Sequence, residues 1–84
     1  MKLTVRYFAS LREALGDRQQ LSGLPQSLTV AQLRQHLGQC SPAHEQALRA
    51  GKAVRCAINL VMAADDAVVP DGAEVAFFPP VTGG

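Results

Sequence analysis

Regular structure in this chain has to stop at Pro79-Pro80. Consecutive prolines hold φ near about −65° and supply no backbone N–H, so a strand ending in Phe77-Phe78 cannot carry its ladder through them. The chain is therefore expected to leave the domain extended, and the six residues Pro79 to Gly84 reach roughly 18–20 Å at about 3.1–3.3 Å per residue. After Val81-Thr82 come Gly83-Gly84, two residues without Cβ atoms. They take φ values barred to other residues and pass a slot too narrow for a side chain, leaving a primary carboxylate that another enzyme's site could receive. Most C-termini fray, but a frayed end rarely begins with a rigid spacer behind two aromatic residues. The expected division is a folded domain over 1–78 and an extended working tail over 79–84.

Composition narrows the rest. A chain of 84 residues forms one domain with a single modest core. Eight Lys and Arg against seven Asp and Glu give a net charge of +1, without a basic run, which argues against nucleic acid or an anionic membrane as partner. Arg6 interrupts the amino-terminal stretch before any apolar block of signal-peptide length, and no run is long enough to span a bilayer. The expected location is the cytoplasm, with Cys40 and Cys56 reduced rather than bridged.

Leu3, Val5 and Tyr7 alternate with Thr4, Arg6 and Phe8, the period of a half-buried strand over Leu3–Ala9, with Phe8 on the face opposite Tyr7. Ser10-Leu11-Arg12-Glu13 matches a capping box, and Gly16 closes a helix of one or two turns. Asp17–Leu24 reads as an edge strand. Thr29 with Gln32 forms a second capping box, Leu28 with Leu33 a hydrophobic staple, and Val30, Leu33 and Leu37 the buried face of the main helix, with a left-handed stop at Gly38. Ser41-Pro42 starts a further short helix that runs through Leu48 and ends at Gly51.

Alternation from Val54 to Val61 predicts a strand that continues or turns near Met62, with Asp65-Asp66 marking the turn. Val68-Val69 reads as a short strand and Pro70-Asp71-Gly72 as a tight turn. In a last strand, Glu74–Phe78, Val75 and Phe77 share one face and Ala76 and Phe78 the other. This order suits an α+β β-grasp roll, a single mixed sheet with one main helix packed on one face. The opposite face is left free of helix. If the first and last strands are neighbours, Phe8 and Phe78 lie together there, with Met62 near a strand end as an adaptable third member.

Catalytic and metal-binding patterns are weak. His36, Cys40 and His44 have the spacing of one helix face, but Gly38 and Ser41-Pro42 break that register and no fourth ligand stands nearby, so no metal site is expected. Cys56 is in phase with Val54 and Ile58 and reads as core. Asp65-Asp66 is a carboxylate pair in a turn with no basic or polar cluster to make it catalytic, and Gly-x-Gly-x-x-Gly does not occur.

The stretch from Arg6 to Gly16, RYFASLREALG, and the stretch from Asp71 to Gly84, DGAEVAFFPPVTGG, together resemble the small subunit of molybdopterin synthase. The terminal motif is specific; Asp17–Lys52 matches in its caps and apolar positions alone. The resemblance implies a ubiquitin-like β-grasp sulfur carrier of molybdenum cofactor biosynthesis. A separate adenylating enzyme would use ATP to activate Gly84, and a sulfur donor would replace the adenylate to give a thiocarboxylate. That sulfur would attack a cyclic pyranopterin monophosphate in the large synthase subunit, two charged carriers building one dithiolene. The carrier would hold no cofactor or metal and would not be catalytic alone, forming a hetero-oligomer with the large subunit. Pro79, Pro80, Val81, Thr82 and Gly83 would thread the partner, and Phe78, Phe8 and Met62 would dock on it. Rival readings are a thiamine-type sulfur carrier, a ubiquitin-like modifier joined to lysines through Gly84, and a plain β-grasp binding domain.

Overall fold

The computed structural model describes residues 1–48 and 53–80. The end of the second short helix at Gly51 and the tail residues Val81, Thr82, Gly83 and Gly84 lie outside them. Elements follow in the order β1 (Leu3–Tyr7), α1 (Ser10–Leu15), β2 (Arg18–Leu21), α2 (Val30–Gly38), α3 (Pro42–Leu48), β3 (Arg55–Ile58), β4 (Val61–Ala63) and β5 (Glu74–Phe78). The strands form one sheet in the order β2-β1-β5-β3-β4. β1 and β5 run parallel and the other pairs antiparallel, which makes the sheet mixed. This is the β-grasp arrangement that the element order predicts.

Alternation decides which side the helices cover. Leu3, Val5, Tyr7, Cys56, Val75 and Phe77 share a core with Leu33 and Leu37 of α2, Leu11 of α1 and Leu48 of α3. The α2 cap forms as the sequence predicts: Gln32 N–H donates to Thr29 Oγ1 at 3.2 Å, and Gln32 Oε1 accepts from Thr29 N–H at 2.9 Å. Together these satisfy two of the orphan donors that every helix start carries. Among the described residues, no helix is long and apolar enough to cross a membrane.

Several local expectations fail for steric or backbone reasons. β1 ends at Tyr7, because Ala9 turns the chain at φ 53° and ψ −129°. That corner makes Ala9 the N-cap of α1 and draws Ser10 into the helix, so no side-chain cap forms there and the Ser10/Glu13 capping box is absent. Gly38 is still helical, and Gln39 closes α2 in a right-handed conformation in place of a left-handed stop. The strand expected from Val54 to Val61 folds back at Asn59-Leu60, both at positive φ, before Met62. Val68 makes a single bridge to Thr29 and no strand.

Candidate functional site

The uncovered face of the sheet carries the docking candidates. Its registers set Arg6 opposite Ala76, Ala76 opposite Ala57 and Ala57 opposite Met62, with Phe78 opposite Arg55 one pair further along. Small residues thus join Met62 to the neighbourhood of Phe78 in one apolar strip. Phe78 is half-buried, Phe8 is 38% exposed and Met62 58%. Parallel pairing of Tyr7 with Phe77 brings Phe8 and Phe78 to the same end of neighbouring strands. Phe8 itself lies just past β1, held there by its N–H donating to the Phe77 carbonyl at 3.1 Å.

Charge frames this strip. The Arg6 guanidinium lies 5.1 Å above the centre of the Phe8 ring and reaches Glu74 at 3.4 Å. Stacking of this kind fixes the ring while leaving its far side free.

β5 is the middle strand of five, flanked by β1 and β3. Phe78 therefore hands the chain to Pro79 and Pro80 from the centre of the sheet, where the root of the tail is fixed by two neighbours at once. Pro79 is half-buried and Pro80 exposed.

Two exposed side chains escaped the sequence reading. Leu60 and Val61 are 91% and 68% exposed, at and just after the β3–β4 turn. A two-residue hairpin turn with both residues at positive φ normally carries Gly second, yet here Leu60 occupies φ 69°. The available signal was Asn59 between alternating apolar runs; the missing glycine hid it. Asn59 itself earns its place, since its Oδ1 accepts from Glu74 N–H at 3.0 Å.

Residues away from this face are engaged elsewhere. His44 contacts Ser41 Oγ through Nδ1 at 2.7 Å and Gln19 Oε1 through Nε2 at 3.2 Å, while Cys40 Sγ faces the His36 carbonyl at 3.9 Å. Gln19 Oε1 also accepts from the Tyr7 hydroxyl at 3.0 Å. Burial, reinforced by Cys40, raises the Tyr7 phenol far above its ordinary pKa. Cys56 is buried in the core as its phase requires, and burial pushes its thiol up to about 11. A thiol so disfavoured as thiolate is a poor nucleophile at neutral pH.

The model of the ThiS family matches residues 5–84. This chain belongs to the ThiS family. Within that family it is 42% identical over 84 residues to the molybdopterin synthase sulfur carrier subunit of Escherichia coli K12, covering 98% of this chain and 99% of the relative. SAMP1 from Haloferax volcanii, a small archaeal modifier protein, superimposes with a TM-score of 0.81 at 26% identity, over 100% of both chains. A structure described as the complex of subunits 1 and 2 of the molybdopterin-converting factor from Helicobacter pylori matches with a TM-score of 0.66 at 21% identity, again over 100% of both chains, a likeness of fold. The ThiS-family match runs through the Phe77-Phe78-Pro79-Pro80 segment to Gly84.

Proposed function

We propose that this chain carries sulfur for molybdopterin synthase as a thiocarboxylate on Gly84. The observation that carries the reading is the identity of 42% with a molybdopterin synthase sulfur carrier subunit across nearly the whole of both chains. The chemistry is consistent with it. A carboxylate is a poor acyl donor, so Gly84 has to be activated: it attacks the α-phosphorus of ATP on a separate adenylating enzyme, releasing pyrophosphate and leaving an acyl adenylate. Sulfur delivered by a donor at the sulfide level then attacks the acyl carbon, and AMP leaves as the C–O bond to its phosphate breaks. The resulting thiocarboxylate is ionised at neutral pH and nucleophilic through sulfur, and its acceptor is the cyclic pyranopterin monophosphate held by the large subunit.

On this reading the carrier contributes placement, and the partner contributes acid and base groups. The large subunit covers the helix-free face at Phe78, Phe8 and Met62, extended at the β3–β4 turn by Leu60, and takes Pro79, Pro80, Val81, Thr82 and Gly83 into a channel. The rigid root at the centre of the sheet supports this, because it fixes the direction in which the tail departs. The carrier works in the cytoplasm, holds no cofactor or metal, and draws on ATP bound by the adenylating enzyme.

Intact and tandem mass spectrometry after incubation with adenylating enzyme, ATP and a sulfur donor tests the reading. One oxygen-for-sulfur exchange on Gly84 is expected; sulfur found as a persulfide on Cys40 or Cys56, with Gly84 unchanged, rejects it. Phe78→Ala should weaken large-subunit binding by roughly 2 kcal/mol or more if the ring is a central anchor. The likeness to SAMP1 favours one second reading, attachment of Gly84 to lysines of other proteins. A ladder of lysine conjugates on an immunoblot, lost when Gly84 is deleted, would identify it.

A further inference from the structure

This fold places glycine at its left-handed corners where nothing else is asked of the residue. Gly16, Gly23 and Gly72 sit at φ 95°, 72° and 78°, each with open space where a Cβ would stand. Ala9, Asn59 and Leu60 are the non-glycine residues at positive φ among those described. Asn59 caps Glu74 through its side chain, and Leu60 is held in the two-residue turn that the pairing of Ile58 with Val61 closes. Ala9 has no such account. Its φ of 53° with ψ of −129° lies near the first central position of a type II′ turn, where glycine dominates.

The methyl group of Ala9 does nothing for the isolated domain. It is exposed, and Ala9 is neither in the core nor among the partly buried apolar residues packed on it. What holds the corner is main chain. Phe8 N–H donates to the Phe77 carbonyl at 3.1 Å, the Phe8 carbonyl accepts from Leu11 and Arg12 at 3.1 and 3.4 Å, and the Ala9 carbonyl accepts from Glu13 at 3.2 Å. A glycine would keep every one of these bonds and remove the clash of a Cβ with a backbone turned this way. The methyl therefore costs the fold stability without a return inside it. Its position suggests where the return lies: Ala9 follows Phe8 directly, and Phe8 is bonded to the strand residue next to Phe78, from which the tail departs.

We propose that the Ala9 methyl is a docking contact, buried by the large synthase subunit where it receives the root of the tail. This rests on the docking face proposed above and adds a residue to it. Ala9→Gly in the full chain is the test. Relief of the corner outweighs the added freedom of the unfolded chain, so Tm should rise by about 4 °C or more. Kd for the purified large subunit should rise about 4-fold, the transfer value of one methyl-sized group. A Kd within about two-fold of the parent's overturns the proposal, as does a lower Tm, which would show that the methyl serves the fold. Loss of adenylation rate alone, with Kd unchanged, assigns the contact to the adenylating enzyme and overturns it too. Phe78→Ala separates this inference from the reading beneath it: if that variant binds normally the docking face has failed, and if it binds weakly while Ala9→Gly does not, only the Ala9 contact has failed.

Discussion

Cys56→Ala should flatten the alkaline limb of the stability curve. Cys56 lies on the core face of β3 opposite Phe77 and Ala63, 1% exposed. Burial is the main force lifting its thiol from 9.0 to about 11; Arg34 pulls it down and Asp65 adds to the rise. The folded protein thus holds the thiol proton more tightly than the unfolded chain does. Its contribution is complete below the unfolded pKa and is lost as pH climbs toward the folded one, with a slope of at most ~1.4 kcal/mol per pH unit. Across the window from 9.0 to about 11 the loss is on the order of 2–3 kcal/mol. The buried Tyr7 phenol, also raised, adds a fall that begins higher, near about pH 10. The informative quantity is therefore the difference between parent and variant. Urea denaturation at steps from about pH 7.5 to about pH 11 measures it. At neutral pH the variant should be less stable by on the order of 1 kcal/mol, the cost of an emptied sulfur site, and the gap should close as pH rises and reverse sign before about pH 11. Parallel curves would refute the assignment of this limb to Cys56. The same variant should still accept sulfur on Gly84, since a thiol this hard to ionise has no part in the transfer.

Other variants report on separate parts of the molecule. Leu60→Gly should raise Tm by about 4–8 °C, because a fully exposed leucine at φ 69° costs ~1 kcal/mol or more against glycine; it should also weaken large-subunit binding, so calorimetry that finds Kd unmoved removes Leu60 from the docking face. Thr29→Ala breaks the reciprocal cap of α2 and should cost ~1 kcal/mol in chemical denaturation, with thiocarboxylate formation preserved. One residue added after Gly84, or Gly83→Val, should abolish sulfur transfer while leaving the melting curve of the domain intact. A lengthened carrier that is not trimmed back to Gly84 and still transfers at the parent rate would show that the terminal carboxylate is not the working group.

The sequence alone determined the elements whose signal is repeated and local. Leu3, Val5 and Tyr7, then Val75 and Phe77, alternate with a period of two and are buried as that period requires. Thr29 and Gln32 lie three residues apart, within reach of each other whatever the rest of the chain does, so their capping box was legible. The family was legible for a related reason: its signal resides in two contiguous stretches, Arg6 to Gly16 and Asp71 to Gly84.

Tertiary structure decided everything that depends on strands distant in sequence. Only the pairing of β1 and β5, ends of the chain apart, sets Phe8 beside the root of the tail, and only the β3 and β5 registers make Ala57 and Ala76 a bridge between Phe78 and Met62. Backbone corners were decided there as well. Ser10 and Glu13 spell a cap, but β1 must turn at Ala9 for Phe8 to keep its bond to Phe77, and that turn carries Ser10 past the capping position. Leu60 is held at a glycine's φ because Ala57 and Ile58 pair with Met62 and Val61 across a loop of two residues. A short loop closed by paired strands leaves its residues one backbone path, and local propensity yields to it.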